Sequence, residues 1–285
     1  MSGGKEGKIR RRRIKDSKEV RTLGPMDAGN AVCGIAVSRD GKWIVSGTGD
    51  GRVVVWNSER HSKVTEFRAH GTYGVVSIDI SADTTKIVTV SEDFTARVWS
   101  LSGERLLGLL EHVDHCWAVA AKFSLDGRLI ATATYDSVRV FDSQNGNLLV
   151  EFPVQVFSES SQSLAWASDS KQLFVLSHDG YIYHVDVSSG TTLSKWHIHS
   201  NDAPTCIVLE SNGTFIAAAA GSSVSFWDTT SQEQIGAVIQ HTHGIQSMAV
   251  SSNYDLVTSG GKRITLRTLC GILPSHYLGN VSVPP

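Results

Sequence analysis

One local pattern recurs along the chain at an almost constant interval. A strand-like apolar run, a tight turn and a second strand-like run ending in a large residue first appear in residues 41–57. The residues that close the six copies are separated by 43, 42, 44, 42 and 40 positions: Trp56, Trp99, Phe141, Val185, Trp227 and Arg267. Because a fixed period of about 20 to 50 residues is the mark of a repeat architecture, this spacing constrains the fold more than any other feature.

Each copy is consistent with four short strands. An apolar strand such as residues 32–38 leads into a turn that ends in Gly, which adopts positive φ at little cost, as in Ser38–Gly41, Ser124–Gly127 and Glu210–Gly213. Two strands rich in Val and Ile follow, and a weaker segment such as residues 63–67 supplies the fourth. A single sheet that is apolar on both faces cannot bury both faces without neighbouring sheets. We therefore predict an all-β protein in which such sheets stack around an axis, a β-propeller.

Composition narrows the function classes. With 41% hydrophobic and 19% charged residues among 285, the chain is too apolar to be disordered. The 26 basic and 28 acidic residues nearly cancel, so we expect neither a membrane nor a nucleic acid as the main partner. No apolar run is long enough to cross a bilayer. Four widely separated cysteines favour a reducing compartment, the cytoplasm or the nucleus: Cys33, Cys116, Cys206 and Cys270.

Residues 18–278 resemble the WD-repeat propeller family. In that family a His precedes the first strand, Ser or Thr lies on the second, Asp lies in the next turn and Trp closes the third strand. The second repeat has the full set, His70, Thr89, Asp93 and Trp99. The resemblance implies that these side chains form a hydrogen-bonded chain that supports the blade. The repeats are also similar to those of fungal WD-repeat proteins, some of which carry a nucleotide-binding module whose phosphate-loop motif is missing from this sequence.

The other repeats depart from this set. The first has Ser46, Asp50 and Trp56 without the His, and the third has His112, Thr132 and Asp136 with Phe141 in place of Trp. The fourth keeps Asp179 without a His, and the last two have a His but Gly in the Asp position (His199 with Gly221, His241 with Gly261). Since a buried Asp stabilises only when its partners are present, we expect blades 4 to 6 to depend more on packing.

The number of blades stays open at this point. Six recognisable repeats fit a ring of six blades, a ring of seven with one incomplete, or a piece of a larger protein. We divide the chain into a basic, flexible arm (1–17), the propeller (18–278) and a tail (279–285). Residues 19–23 look like an outer strand that closes the ring. Residues 8–15, with six basic side chains, fit either the arm or a third strand left from another blade, and residues 269–278 are predicted to pack as a last outer strand.

Nothing in the sequence supports catalysis. It contains neither a G-x-S-x-G elbow nor an H-E-x-x-H motif, and we predict no enzyme activity, no cofactor and no metal. Histidines do cluster at three corresponding positions, His112 with His115, His197 with His199, and His241 with His243. An H-x-H pair on a strand places both imidazoles on one face, as a zinc site requires. We interpret these residues as loop histidines of the repeat and keep a metal-dependent enzyme as an alternative.

The family resemblance also locates a candidate binding surface. The turn residue before each Asp position and the start of each first strand lie on the loop-rich top face in that family, here Tyr73, Glu92, His115, Trp117, Tyr135 and His178. Trp117 fits a core position equally well. We predict a monomeric, non-catalytic scaffold that presents these loops to a protein or peptide partner. The alternatives are a recognition module of a larger fungal signalling protein and a nucleic-acid reader that uses residues 8–15.

Overall fold

The computed structural model describes residues 4–15, 18–110, 118–156, 162–198, 202–210, 213–250, 257–261 and 267–269, with backbone alone for residues 11–15, 18–24, 250, 257–261 and 267–269. Every regular element in these segments is a β-strand. The predicted all-β class is therefore confirmed.

The described strands form seven antiparallel sheets: a two-stranded sheet at the amino terminus and six larger ones, one for each repeat, which we call blades 1 to 6. Strands pair in chain order within each blade. Blade 1 contains β3 (Val32–Val37), β4 (Trp43–Thr48), β5 (Arg52–Asn57) and β6 (Ser62–Arg68), and blade 2 contains β7 (Val75–Ile80), β8 (Lys86–Ser91) and β9 (Ala96–Ser100). Blade 3 contains β10 (Ala118–Phe123), β11 (Leu129–Thr134), β12 (Val138–Asp142) and β13 (Leu148–Phe152), and blade 4 contains β14 (Leu164–Trp166), β15 (Gln172–Leu176), β16 (Tyr181–Asp186) and β17 (Thr191–His197). Blade 5 contains β18 (Pro204–Leu209), β19 (Phe215–Ala220), β20 (Ser223–Asp228) and β21 (Gln234–Gln240), and blade 6 contains β22 (Ile245–Val250), β23 (Val257–Gly261) and β24 (Arg267–Leu269).

The hydrophobic core lies between blades. In the interface of blades 1 and 2, Val45 and Val55 from the first sheet pack with Ile87 and Trp99 from the second. Corresponding clusters join blades 2 and 3, 3 and 4, 4 and 5, and 5 and 6. The second and third strands are buried on both faces, which explains their continuous runs of Val and Ile. Stacking of sheets, as predicted, is what covers these strands.

The amino-terminal segment differs from the flexible arm that we predicted for residues 1–17. Lys8–Lys15 forms β1, which pairs antiparallel with β2 (Lys18–Asp27) across the predicted boundary. Burial explains the difference, because Ile9 (0% exposed) and Met26 (2% exposed) pack against blade 1 beside Trp56. The alternative assignment of residues 8–15 to a third strand of another blade describes this pairing better.

The hairpin β1–β2 corresponds to the second half of a repeat. Gly7 has positive φ and its carbonyl oxygen accepts from Ala28 N–H at 2.7 Å, just as Gly51 has positive φ and accepts from Ala69 N–H at 2.9 Å. Glu6 then occupies the place of the turn Asp. The described residues thus contain six repeats and one incomplete unit, in agreement with the fold prediction.

Two blades have three strands in the described residues. In blade 2 the segment after β9 makes only isolated bridges, Trp99 with Arg105 and Ala96 with Leu110, instead of a regular fourth strand. In blade 6 the outer strand expected in residues 269–278 lies beyond the described residues, apart from Leu269 at the end of β24. The predicted tail, residues 279–285, lies beyond them as well.

Candidate functional site

At one end of the sheets, here called the top end, two kinds of segment meet. One is the linker that enters the first strand of a blade, and the other is the turn between the second and third strands. The linker of residues 69–74 contacts the turns of both neighbouring blades: Ala69 N–H donates to the Gly51 carbonyl (2.9 Å) and Glu92 N–H donates to the Gly74 carbonyl (3.0 Å). Backbone hydrogen bonds therefore fix this linker to blade 1 and to blade 2.

Gly51 lies directly beneath this linker. Its φ is +81°, and a Cβ at this position would lie 2.8 Å from the carbonyl oxygens of both Gly71 and Tyr73. Residues other than glycine are disfavoured at positive φ, and here a Cβ atom would also collide with backbone atoms. The turn therefore requires glycine because the linker passes so close to it.

The linker between blades 3 and 4 is fixed in the same way. Val156 N–H donates to the Thr134 carbonyl of the blade 3 turn (3.2 Å), and His178 N–H of the blade 4 turn donates to the Gln155 carbonyl (3.0 Å). A linker held between two turns is thus a recurrent feature of the top end.

Blades 2 and 3 also point in the same direction. Ala121 N–H and Phe123 N–H of β10 donate to Ser77 Oγ (3.2 Å) and Asp79 Oδ2 (2.9 Å) of β7. The residue offset is the same in both contacts, so the two first strands run parallel. The turns of blades 1 to 4 consequently lie at the same end.

Four side chains of blade 2 form one hydrogen-bonded chain between the linker and the core. Trp99 Nε1 donates to Thr89 Oγ1 (2.9 Å), which lies 2.7 Å from His70 Nε2, and His70 Nδ1 lies 2.9 Å from Asp93 Oδ2. Because an ionised carboxylate can only accept, His70 donates to Asp93 at Nδ1; a neutral His70 then accepts from the Thr89 hydroxyl at Nε2, while Thr89 accepts from the Trp99 indole. The structure brings these residues together in the order that the family pattern implies.

Burial keeps His70 uncharged. Its side chain is 0% exposed, and burial lowers the pKa from 6.5 to about 4, although the hydrogen bond to Asp93 acts in the opposite direction. Burial raises the pKa of Asp93, but a hydrogen bond from Thr95 and the positive charge of Arg97 contribute to a net lowering. At neutral pH the pair is therefore a neutral imidazole and an ionised carboxylate.

Arginines that we did not predict complete the turns of blades 1 and 2. Arg97 donates to Asp93 Oδ2 (2.9 Å) and to the Ala69 carbonyl (2.6 Å), and Arg52 contacts Asp50 and Glu66 (2.7 Å). The signal was present in the sequence, since the third strands of the first three repeats each have an Arg in their first or second position, Arg52, Arg97 and Arg139. These cations neutralise the turn carboxylates in blades 1 and 2.

Blade 1 keeps part of the hydrogen-bonded chain. Trp56 Nε1 donates to Ser46 Oγ (3.0 Å), as Trp99 does to Thr89 in blade 2. Asp50, which has no His partner, accepts instead from Thr48 Oγ1 (2.6 Å) and Arg52. Local partners thus satisfy the carboxylate in this blade.

Blade 3 is described only in part. Thr132 is buried and its Oγ1 donates to the Arg139 carbonyl (3.5 Å), while Asp136 N–H donates to Thr134 Oγ1 (3.3 Å). Phe141 fills the Trp position within the core between blades 2 and 3. His112 lies outside the described residues.

Blade 5 replaces the chain with a local contact. Trp227 Nε1 donates to Ser225 Oγ (2.8 Å) on its own strand, because the residue that pairs with Ser225 on β19 is Ala218. In blade 4 the remaining turn Asp, Asp179, accepts from Ser177 Oγ (2.5 Å). These blades contain shorter-range polar contacts than blade 2.

The candidate partner-binding residues fall into two groups. Tyr73 is 55% exposed, and the exposed Glu92 has Oε2 3.4 Å from Gly74 N, so both belong to the junction of blades 1 and 2. Tyr135, half-buried, and His178, exposed, lie in the turns on either side of the linker between blades 3 and 4. His115 and Trp117, in the linker between blades 2 and 3, are outside the described residues.

The paired histidines make contacts of their own. His197 Nε2 lies 3.2 Å from the Asp179 carbonyl and its ring is edge-on to Tyr181, while His243 Nδ1 lies 2.9 Å from Thr242 Oγ1. His199 lies outside the described residues. In the described segments no group of three or more His, Cys, Asp or Glu side chains is arranged to hold a metal ion.

The structure has stacked sheets with a period near 42 residues and a Trp–Thr–His–Asp chain that joins linker to core, which is consistent with the fold of a WD-repeat β-propeller. Comparison with known proteins supports the WD-repeat family. The family model described as "WD domain, G-beta repeat" matches residues 17–57 and 61–100, which contain β2 and blades 1 and 2.

Curated proteins give matches over longer stretches. The chain is 33% identical over 189 residues to human apoptotic protease-activating factor 1, covering 60% of this chain and 15% of that protein. It is 23% identical over 233 residues to a Xenopus laevis U3 small nucleolar RNA-associated protein 15 homolog, covering 81% of this chain and 44% of that protein. A Dictyostelium discoideum serine-threonine kinase receptor-associated protein is 26% identical over 196 residues, covering 67% of this chain and 64% of that protein.

These relatives are longer than the regions they share with this chain. The human and rat apoptotic protease-activating factors 1 each match over 15% of their own length. Among the described residues, no helix has the length and hydrophobicity needed to cross a membrane.

Proposed function

We propose that this propeller is a non-catalytic scaffold whose top end binds a protein or peptide partner. The observation that carries the proposal is Tyr73, whose backbone lies against Gly51 of blade 1 and beside Glu92 of blade 2 while its side chain is 55% exposed. A surface side chain on a fixed backbone loses little conformational entropy when it binds. Tyr also contributes a large contact area, which is why it is common in interface hot spots.

The arrangement of the linkers extends this argument to blades 3 and 4. Tyr135 and His178 flank the linker between blades 3 and 4, which is held by two backbone hydrogen bonds like the linker between blades 1 and 2 beside Tyr73 and Glu92. A rigid framework that holds exposed loops is the usual basis for binding functions in proteins. The name of the Dictyostelium relative, which describes it as receptor-associated, agrees with an interaction role.

The test is a comparison of two variants in a quantitative pulldown from cells that contain the protein. The double variant Tyr73→Ala/Tyr135→Ala changes the top end. The control, Leu125→Ala/Leu149→Ala, removes two exposed side chains (45% and 54%) from the opposite turn of blade 3 and from its outer strand. We expect the top-end variant to lose at least one partner that the wild type and the control retain. Identical sets of bound proteins for all three would contradict the proposal.

A second candidate places this propeller within a larger signalling protein as its recognition module. The match to 15% of the human apoptotic protease-activating factor 1 favours it, because that protein has a much longer chain than the matched region. The reading frame of the gene on both sides of codons 1 and 285 provides the test. Similarity to fungal proteins in particular stays a prediction.

We also propose a cytoplasmic or nuclear setting. Cys33, which is exposed, and Cys206, which is buried, are both free thiols, as a reducing compartment would maintain. Microscopy of the tagged full chain tests this, and a signal confined to the secretory pathway would contradict it.

A further inference from the structure

The total charge of the chain is nearly neutral, but the amino-terminal region has a local excess of positive charge. Residues 11–21 contain six basic and two acidic side chains, a net charge of +4, in a chain whose total is −2. The other residues therefore sum to −6. A basic segment on an acidic protein is the electrostatic pattern that attracts polyanions.

Strand pairing concentrates this charge instead of dispersing it. In the hairpin β1–β2, Arg13 is the cross-strand partner of Arg21, and Lys15 is the partner of Lys18. Like charges placed opposite each other on paired strands destabilise the pair. A bound polyanion would remove that repulsion, so binding and the stability of the hairpin would be coupled.

Two acidic residues, Glu6 and Asp27, lie at the other end of the hairpin. Glu6 forms an ion pair with Arg10 at 2.8 Å, and Asp27 is the cross-strand partner of Lys8. That end of the hairpin is also the one anchored on blade 1 by Ile9 and Met26. Charge and anchoring are thus separated along the hairpin, with the basic half away from the buried contacts.

We propose that this basic half, residues 11–15 and 18–21, binds the phosphate backbone of duplex DNA without sequence preference. Five of the eight basic residues in the hairpin are Arg, whose planar guanidinium matches phosphate oxygens in a bidentate manner. A two-stranded β-ribbon also fits the major groove of B-DNA. The site lies on a separate element from the top end and goes beyond the scaffold function.

The sequence of the hairpin disfavours the other polyanions. Residues 8–27 contain no Phe, Tyr, Trp or His, so the stacking platforms that bind single-stranded nucleic acids are missing from this segment. Ile9 and Met26, which could otherwise anchor the hairpin in a lipid bilayer, are buried against blade 1. Contacts to the backbone of a duplex need neither feature.

Fluorescence anisotropy of the full chain with a labelled 20-base-pair duplex, in two unrelated sequences, tests the proposal between 50 and 200 mM KCl. If all six basic residues contact phosphates, log Kobs should fall with log[salt] with a slope of about −5. The variant Arg11→Gln/Arg12→Gln/Arg13→Gln should reduce the slope by about 2.7. The control Arg39→Gln/Arg60→Gln/Arg128→Gln, which removes the same charge from three exposed arginines of blades 1 and 3, should leave the slope unchanged.

Three results would overturn the proposal: no binding by the wild type at 50 mM KCl, equal slopes for the two triple variants, or tighter binding to single-stranded RNA or phosphatidylserine vesicles than to the duplex. If thermal melting shows that the hairpin variant does not fold, Arg12→Gln alone replaces it, with an expected slope change of about 0.9. The top-end variant Tyr73→Ala/Tyr135→Ala should bind DNA like the wild type, which separates this proposal from the scaffold function.

Discussion

Lowering the pH from 7.5 to 5.0 should destabilise the protein through His70. In the unfolded chain His70 has the ordinary pKa of 6.5, whereas burial lowers its pKa to about 4 in the native protein. The unfolded state therefore binds the proton first, and the stability present above pH 6.5 is lost progressively as the pH falls towards 4. For these two pKa values the loss attributable to His70 is about 2 kcal/mol at pH 5.

Urea unfolding followed by tryptophan fluorescence at pH 7.5 and 5.0 measures this loss. The variant His70→Gln lacks the titrating group and should lose about 2 kcal/mol less than the wild type over this interval. Burial also lowers the pKa of His184 and raises that of Asp79, but both groups are present in both proteins and cancel in the comparison. The control His243→Gln changes an exposed histidine and should behave like the wild type.

The reasoning fails if His70→Gln and the wild type lose the same free energy of unfolding between the two pH values. That result would mean that His70 has nearly the same pKa in the native and the unfolded protein. If His243→Gln also lost the pH dependence, the effect could not be attributed to His70, and the assignment would be wrong.

Two further comparisons test the top end by thermal and urea denaturation. Asp93→Ala should lower the free energy of unfolding by about 1 to 3 kcal/mol more than Asp186→Ala does. The reason is that Asp93 accepts several hydrogen bonds in a part-buried network, whereas Asp186 caps a surface turn through Ser189. Equal melting temperatures of the two variants would show that the repeat register is wrong. Gly51→Ala should destabilise clearly more than Gly41→Ala, since both have positive φ but only the first would bring a Cβ within 2.8 Å of backbone oxygens; equal losses would show that the linker does not lie over the blade 1 turn.

Much of the fold could be predicted because its signals are local. The positions of His70, Thr89, Asp93 and Trp99 fall within one repeat of the sequence, and their spacing follows from the lengths of two strands and a turn. The runs of Val and Ile likewise identify strands covered on both faces before any partner sheet is known.

Other features depend on contacts between distant residues. Basic residues dominate the sequence of the amino-terminal hairpin, and Ile9 anchors the hairpin only because it packs with Met26 and Trp56, which lie further along the chain. The role of Arg97 was missed for a similar reason, because its second acceptor, the Ala69 carbonyl, belongs to the preceding linker. Side-chain exposure, as at Tyr73, also follows from how neighbouring turns meet and has no local signature.

The linkers that join two turns determine where the chain can be opened without loss of the fold. A cut or an inserted domain within residues 69–74 would break the bridge between blades 1 and 2 at both of its ends. At Asn145, in the exposed turn between β12 and β13, the hydrogen bonds of Gln144, Asn145 and Gly146 stay within residues 142–147, whereas Ser143 accepts from Lys86 of blade 2 and lies outside the insertion point. New termini for a circular permutant, or the insertion point of a fluorescent reporter, therefore belong in turns of this kind, where the junctions between sheets stay intact.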